Sequence, residues 1–223
     1  MTDDVTTPGP ASERVRVRRG AIRAEYDRDE VFAVLDAGLV AHVGVVTPDG
    51  PIVLPMAYAR TDDELYLHGS VANAMLRAAV GTDICVTVTI VDGLVIGRSA
   101  FHNSMNYRGV VVRGLARRVE DPDEHVRALR MISDHVVANW DTARDPTVTE
   151  IRKTMVIAVP LVEVSAKVRA GDPIDEPEDV AGPHWAGHVP IESHFRTPAA
   201  SADLPAGVAT PPAIAALAGR RLP

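Results

Sequence analysis

With a single cysteine in 223 residues, the chain cannot close an intramolecular disulfide, so its fold has to rest on apolar burial. That cysteine, Cys85, stands in an apolar strand-like run with no cationic neighbour in sequence. This is the setting of a buried, inert thiol rather than a reactive one. Aromatic residues are scarce at 4%, and the formal net charge is −7. Without a basic footprint or a base-stacking surface, nucleic-acid binding is set aside. No apolar run reaches the ~18 residues of a membrane span, and the N-terminus has no long apolar stretch of the signal-peptide kind. The chain is therefore expected to be soluble and cytoplasmic, without a membrane partner. No repeat recurs at a solenoid or propeller period.

What is present is ordinary globular composition, 46% hydrophobic and 24% charged, which suits one core with tails. Residues 1–20 mix Thr, Pro, Gly and Ser with Arg14, Arg16, Arg18 and Arg19 and read as a flexible arm. Residues 21–170 carry the pattern of a folded domain, and residues 171–223 form an extension rich in Pro, Gly and Ala. Within the domain, Asp27 caps a predicted helix that Gly38 ends. Predicted strands follow at 39–46, 51–59 and 64–68. Ser70 is read as the cap of a short helix running to Ala79, and Asp92-Gly93 as the turn of a hairpin between strands 84–91 and 94–101. A long strand over 106–119 leads to a helix capped by Asp121 and reaching toward Trp140; a short helix over 147–153 and a strand over 155–166 complete the core. About six antiparallel strands with flanking helices predict a mainly β fold, a closed or nearly closed barrel rather than a parallel sheet.

Two segments concentrate chemistry. Leu65-Tyr66-Leu67-His68-Gly69-Ser70 runs from a strand toward a helix N-terminus, where Gly69 and Ser70 suit an anion such as phosphate. A simple capped helix with His68 at the barrel rim is the plainer reading of that segment. In 98–109, Arg98, Ser99, His102, Tyr107 and Arg108 crowd the junction of two strands. The period-two rule makes Arg98 the polar end of the row Leu94-Ile96-Ala100, and Arg108 that of Val110-Val112. A planar guanidinium held on a strand suits phosphate oxygens. His184 and His188 have the i, i+4 spacing of a helical metal pair, but Pro183, Gly187 and Pro190 disfavour that helix, so no metal site is assigned.

His68-Gly69-Ser70, followed by the segment from Phe101 through Asn103 and Tyr107-Arg108-Gly109 to Val112, resembles the pyridoxamine 5′-phosphate oxidase-like, FMN-binding split β-barrel family, in its nitroimidazole-resistance-protein-like branch. The similarity runs from about Tyr26 to Pro190 and includes Leu54-Pro55-Met56-Ala57-Tyr58, Val91-Asp92-Gly93-Leu94-Val95, Ser165-Ala166-Lys167-Val168-Arg169 and Trp185-Ala186-Gly187. It implies a homodimer with two cofactor sites at the subunit interface. Carried over by position, Pro55, Met56 and Tyr58 border the flavin ring, and His68, Gly69, Ser70, Arg98, Ser99, His102, Tyr107 and Arg108 lie near its phosphate or edge. Trp185 covers the partner's site. Asn103 stands where the family has a second histidine, and Gly109 where it has serine.

The resemblance implies an FMN-dependent oxidoreductase that takes hydride from a reduced nicotinamide and passes electrons to a small organic acceptor. His68 and Tyr107 are its candidate proton donors. A heme-binding barrel with His68 or His102 as axial ligand is the alternative from a different class, and a non-catalytic flavin carrier a third. A deazaflavin also stands among the cofactors that other barrels of the superfamily take.

Overall fold

The computed structural model describes residues 8–222. Residues 1–7 of the expected arm lie outside the described residues. A short 3-10 turn at Ala21–Arg23 leads into β1 (Ala24–Glu25) and α1 (Arg28–Ala37). The Asp27 carboxylate accepts the N–H groups of Asp29 and Glu30, and Val31, Val34 and Leu35 form the buried stripe of α1. The strands β2 (Ala41–Thr47) and β3 (Gly50–Met56) form a hairpin that closes at Thr47↔Gly50, where Gly50 takes a φ of 114°. After β4 (Tyr58–Arg60) and β5 (Glu64–Ser70) comes α2 (Ala74–Ala79), then β6 (Asp83–Ile96), β7 (Ser104–Leu115) and β8 (Arg117–Arg118). The chain continues through α3 (Pro122–Val136), α4 (Val148–Lys153), β9 (Thr154–Pro160), β10 (Glu163–Arg169), α5 (Pro177–Val180), β11 (Gly187–Pro190) and α6 (Pro212–Ala215).

Two sheets result. One has the order β1-β10-β7-β6-β2-β3, with β11 added on β6; the other has the order β4-β5-β9-β8. Neither path closes on itself, so among the described residues the barrel is split and not closed. Three runs expected as single strands are each divided between the sheets. Residues 51–59 break at Ala57 between β3 and β4, 106–119 at Ala116 between β7 and β8, and 155–166 at Leu161-Val162 between β9 and β10. At the second break the Ala116 N–H and carbonyl turn away from the ladder to bond Thr82 and Gly81.

Asp92-Gly93 does not turn: β6 runs straight through it for 14 residues. The Asp92 carboxylate is taken by the Arg108 guanidinium, and the Gly93 hydrogen makes room for β11, since a Cβ there would stand 2.9 Å from the Val189 carbonyl oxygen. The glycine serves close backbone approach instead of a turn. β6 then ends at Ile96, short of the expected 101, and 100–102 forms a 3-10 turn.

The described residues group into two compact units: 8–38, Thr87–Val111 and Glu163–Glu192 in unit 1, and Leu39–Val86, Val112–Val162 and 193–222 in unit 2. In unit 1, α1 packs on β10, and the described part of the N-terminal segment lies on the same unit. Val15 is buried, Arg14 pairs with Glu163 at 3.1 Å, and the Val17 N–H donates to the Tyr26 hydroxyl at 2.8 Å. In unit 2, β9 is buried along its whole apolar run, 155–159, because both of its faces are covered. Ala128 and Ile132 of α3, one turn apart, pack with Tyr66, Val156 and Ala158. The α3 helix stops at Val136, with Trp140 in a following 3-10 turn held by the Asp134 carboxylate. Among the described residues no helix is long and apolar enough to cross a membrane.

Candidate functional site

His68 lies on β5 opposite Val156 of β9. Its neighbour in the period-two row, Tyr66, packs into the core under α3, so His68 is aimed toward the same helix at the next position along the strand. There it lines a cavity of about 410 Å³, with Ala57, Leu129, Ile132, Val136, Trp140 and Ile151 among its walls. This lies within the ~300–1,000 Å³ of small-ligand sites. Nδ1 of His68 is buried without a hydrogen-bond partner. Burial holds the imidazole pKa below its ordinary value, so the ring is neutral near pH 7. A neutral imidazole on the wall of an apolar cavity suits a metal ligand as well as a proton acceptor. Among the described residues Glu150 is the one charged group on the cavity wall, and it is already engaged by Arg144 and by the Thr147 N–H.

The rest of the first segment differs from expectation. Ser70 ends β5 and does not cap α2. Its hydroxyl accepts the Ala72 N–H at 3.1 Å and its carbonyl the Asn73 N–H at 2.9 Å, forming a turn, and Asn73 is the cap that accepts the Leu76 N–H. The turn residue with the longer reach takes the capping role. Gly69 is needed for packing: a Cβ there would meet Leu76 Cδ1 at 2.7 Å. Pro55 and Met56 sit at the end of β3, paired with His42 and Ala41, and Pro55 is exposed. Tyr58 is fully buried, its ring 4.9 Å from that of His135, so it presents no surface to a ligand.

The second segment belongs to unit 1. Arg98 follows the end of β6, and both its backbone N–H and its guanidinium donate to Asp175, at 3.0 and 2.8 Å. The Asp175 side chain is fully shielded. Nε of Arg98 is buried with no partner. Ser99 caps the 3-10 turn through the Phe101 N–H, and the Asn103 side chain accepts the Gly97 N–H at 3.0 Å. His102 meets Phe101 edge-on, and Phe101 itself is 91% exposed. Tyr107 and Arg108 are half-buried on β7; Arg108 forms a two-pronged ion pair with Asp92, at 3.0 and 2.7 Å. Trp185 is exposed, beside Gly187. The two arginines expected to read phosphate thus each face a carboxylate of their own unit, which sequence reasoning missed. Asp175 lies 77 residues from Arg98 with no spacing signal to link them. Arg169, which closes the resembling segment 165–169 but had no role assigned, is buried at the end of β10, and its guanidinium donates to the Asn106 side chain and the Asp172 carbonyl. His188 lies on β11 and not on a helix, with Nδ1 2.9 Å from Asp172.

Antiparallel sheets that share out three divided strands define a split β-barrel. The chain belongs to the pyridoxamine 5′-phosphate oxidase family, which its residues 27–168 match. It is similar to the flavocytochrome Anf3 from Azotobacter vinelandii, 36% identical over 94% of this chain and 99% of that one, with a TM-score of 0.90. It is also similar to an FAD- and heme-binding protein from Mycobacterium smegmatis, 30% identical over 90% and 98% of the two chains, with a TM-score of 0.84. A nitroimidazole antibiotic resistance protein from Bacteroides thetaiotaomicron, named as such only provisionally, shares the fold at 22% identity and a TM-score of 0.56, over 65% and 86%. No curated protein matches the sequence.

Proposed function

We propose that this protein is a cytoplasmic redox protein that binds both a heme and a flavin, with His68 as the residue that would hold the heme iron. The neutral His68 ring on the wall of an apolar cavity carries this reading, because an uncharged imidazole there is available as a metal ligand. The fit is good on both counts: the walls are apolar, and the ring is neutral. Similarity to a flavocytochrome and to an FAD- and heme-binding protein supports it. When bound, the flavin supplies hydride acceptance from a reduced nicotinamide and the heme supplies one-electron chemistry toward a small acceptor. The chain's own part is to exclude water around His68 with Leu129, Ile132 and Trp140, and to hold the ring on a strand paired along its whole length. In unit 1, Arg98 offers an unused Nε–H, and Tyr107 is the candidate proton donor beside the flavin.

FMN is the form the sequence alone favours, whereas the M. smegmatis relative favours FAD. A second copy of the chain is proposed to complete the flavin site. The exposed apolar side chains of unit 1, Val91, Leu94, Phe101, Trp185 and Val189, support a homodimer. The test is the visible spectrum of the purified chain, followed by chromatography of the released flavin. A Soret band together with FAD or FMN is expected; a flavin spectrum alone returns the protein to the simple flavoprotein reading, and a colourless chain that rejects both hemin and flavin overturns the proposal.

A further inference from the structure

The His68 cavity is incomplete for the ligand proposed for it. A heme is an apolar disc with two carboxylates at one edge, and those carboxylates need cations or water. Among the described residues no lysine or arginine lines the His68 cavity, and its one acid, Glu150, is already paired. A second cavity of about 620 Å³ adjoins it, sharing Ile151 and Thr154 as a common wall. This second cavity has the opposite character at its rim, with Arg118, Arg152 and His125 set over a floor of Val119, Met155 and Val156.

We infer that Arg118 and Arg152 form the anion-binding edge of the heme site, receiving the carboxylates of the tetrapyrrole whose ring occupies the His68 cavity; this rests on the heme reading above. The two arginines are set apart from their neighbours by what they do not do. Arg117, next to Arg118 on β8 and directed to the opposite face, bonds Glu64 and Glu124. Arg144, near Arg152 in sequence, bonds Glu150. Among the described residues, Arg118 and Arg152 take no ion pair. The only acid at the second cavity is Glu120, which is exposed. Two uncompensated guanidiniums at a cavity that shares Ile151 and Thr154 with the apolar one match an amphiphile with one charged edge, and guanidinium forks suit carboxylates.

The experiment is hemin titration of the purified full-length chain, read by the Soret band and by quenching of tryptophan fluorescence, since Trp140 lines the first cavity. It compares the natural protein with Arg118→Gln, Arg152→Gln and the double variant, against both hemin and its dimethyl ester. Each single change is expected to weaken hemin binding about tenfold, as loss of one charge-assisted pair does, and the double change more. The dimethyl ester, which lacks the carboxylates, should bind the natural protein and the variants alike. A double variant that binds hemin as the natural protein does overturns this inference and leaves His68 ligation standing. A natural protein that shows no Soret shift and no quenching overturns the heme reading, and this inference with it.

Discussion

Replacing Asp175, the carboxylate that holds Arg98, should loosen unit 1. Its shielded carboxylate accepts two bonds from one residue, the Arg98 N–H at 3.0 Å and the Arg98 guanidinium at 2.8 Å. Hydrogen bonds to a charged group are worth about 1.5–3 kcal/mol each. Asp175→Asn keeps an acceptor for the backbone N–H and loses the ion pair, and because Arg98 is 27% exposed, water recovers part of that loss. The net cost is about 2 kcal/mol for Asp175→Asn and about 3 kcal/mol for Asp175→Ala, which also orphans the N–H. For a chain of this size each kcal/mol lowers Tm by about 2–4 °C, giving about 4–8 °C for the amide and about 6–12 °C for the alanine. Thermal melts followed by circular dichroism read this directly. The combination with Arg98→Met should cost less than the sum of the single changes, by about 2 kcal/mol, since the partner charge is then gone. An alanine variant that melts within about 1 °C of the natural protein would refute the argument.

Three other outcomes follow from the structure. Gly93→Ala places a Cβ 2.9 Å from the Val189 carbonyl, so β11 must move off β6; limited proteolysis between Trp185 and Ile191 should accelerate, and unchanged cleavage would show that the strand does not need the glycine. Gly69→Ala drives a Cβ to within 2.7 Å of the end of Leu76, a flexible tip, so its cost should stay at about 1–2 kcal/mol by urea denaturation. The bond from Arg117 holds the Glu124 carboxyl below the ordinary 4.5, so the pair stabilises the fold above that value and loses its effect as pH falls through the depressed pKa. Arg117→Gln should therefore flatten the acid side of the stability profile below about pH 4.5, and a profile identical to that of the natural protein would contradict it.

Element types were largely legible because periodicity and caps are local. Asp27 and Thr147 begin helices as their side chains dictate, and β2, β5 and β9 follow their apolar runs. The breaks were not legible. Ala57, Ala116 and Leu161-Val162 carry no turn chemistry, and the strands divide there because two sheets compete for one run of residues. Asp92-Gly93 misled for the complementary reason: its residues suit a turn, but a distant arginine takes the aspartate and a distant strand needs the glycine's space. Ser70 lost the cap to Asn73 by three residues, within the reach of the same turn. In the site, His68 was visible from its place on a strand ahead of a turn, whereas Asp175, Arg118 and Arg152 become notable only through what surrounds them.

The central claim is that His68 ligates a heme in a chain that also binds flavin. The most direct measurement is the heme content of the purified chain, by pyridine hemochromogen, in the natural protein and in His68→Ala, with released flavin quantified from the same samples. Stoichiometric heme is expected in the natural protein and its loss in the variant, with flavin retained in both. Heme retained at the natural level in His68→Ala, or absent from the natural protein, would contradict it.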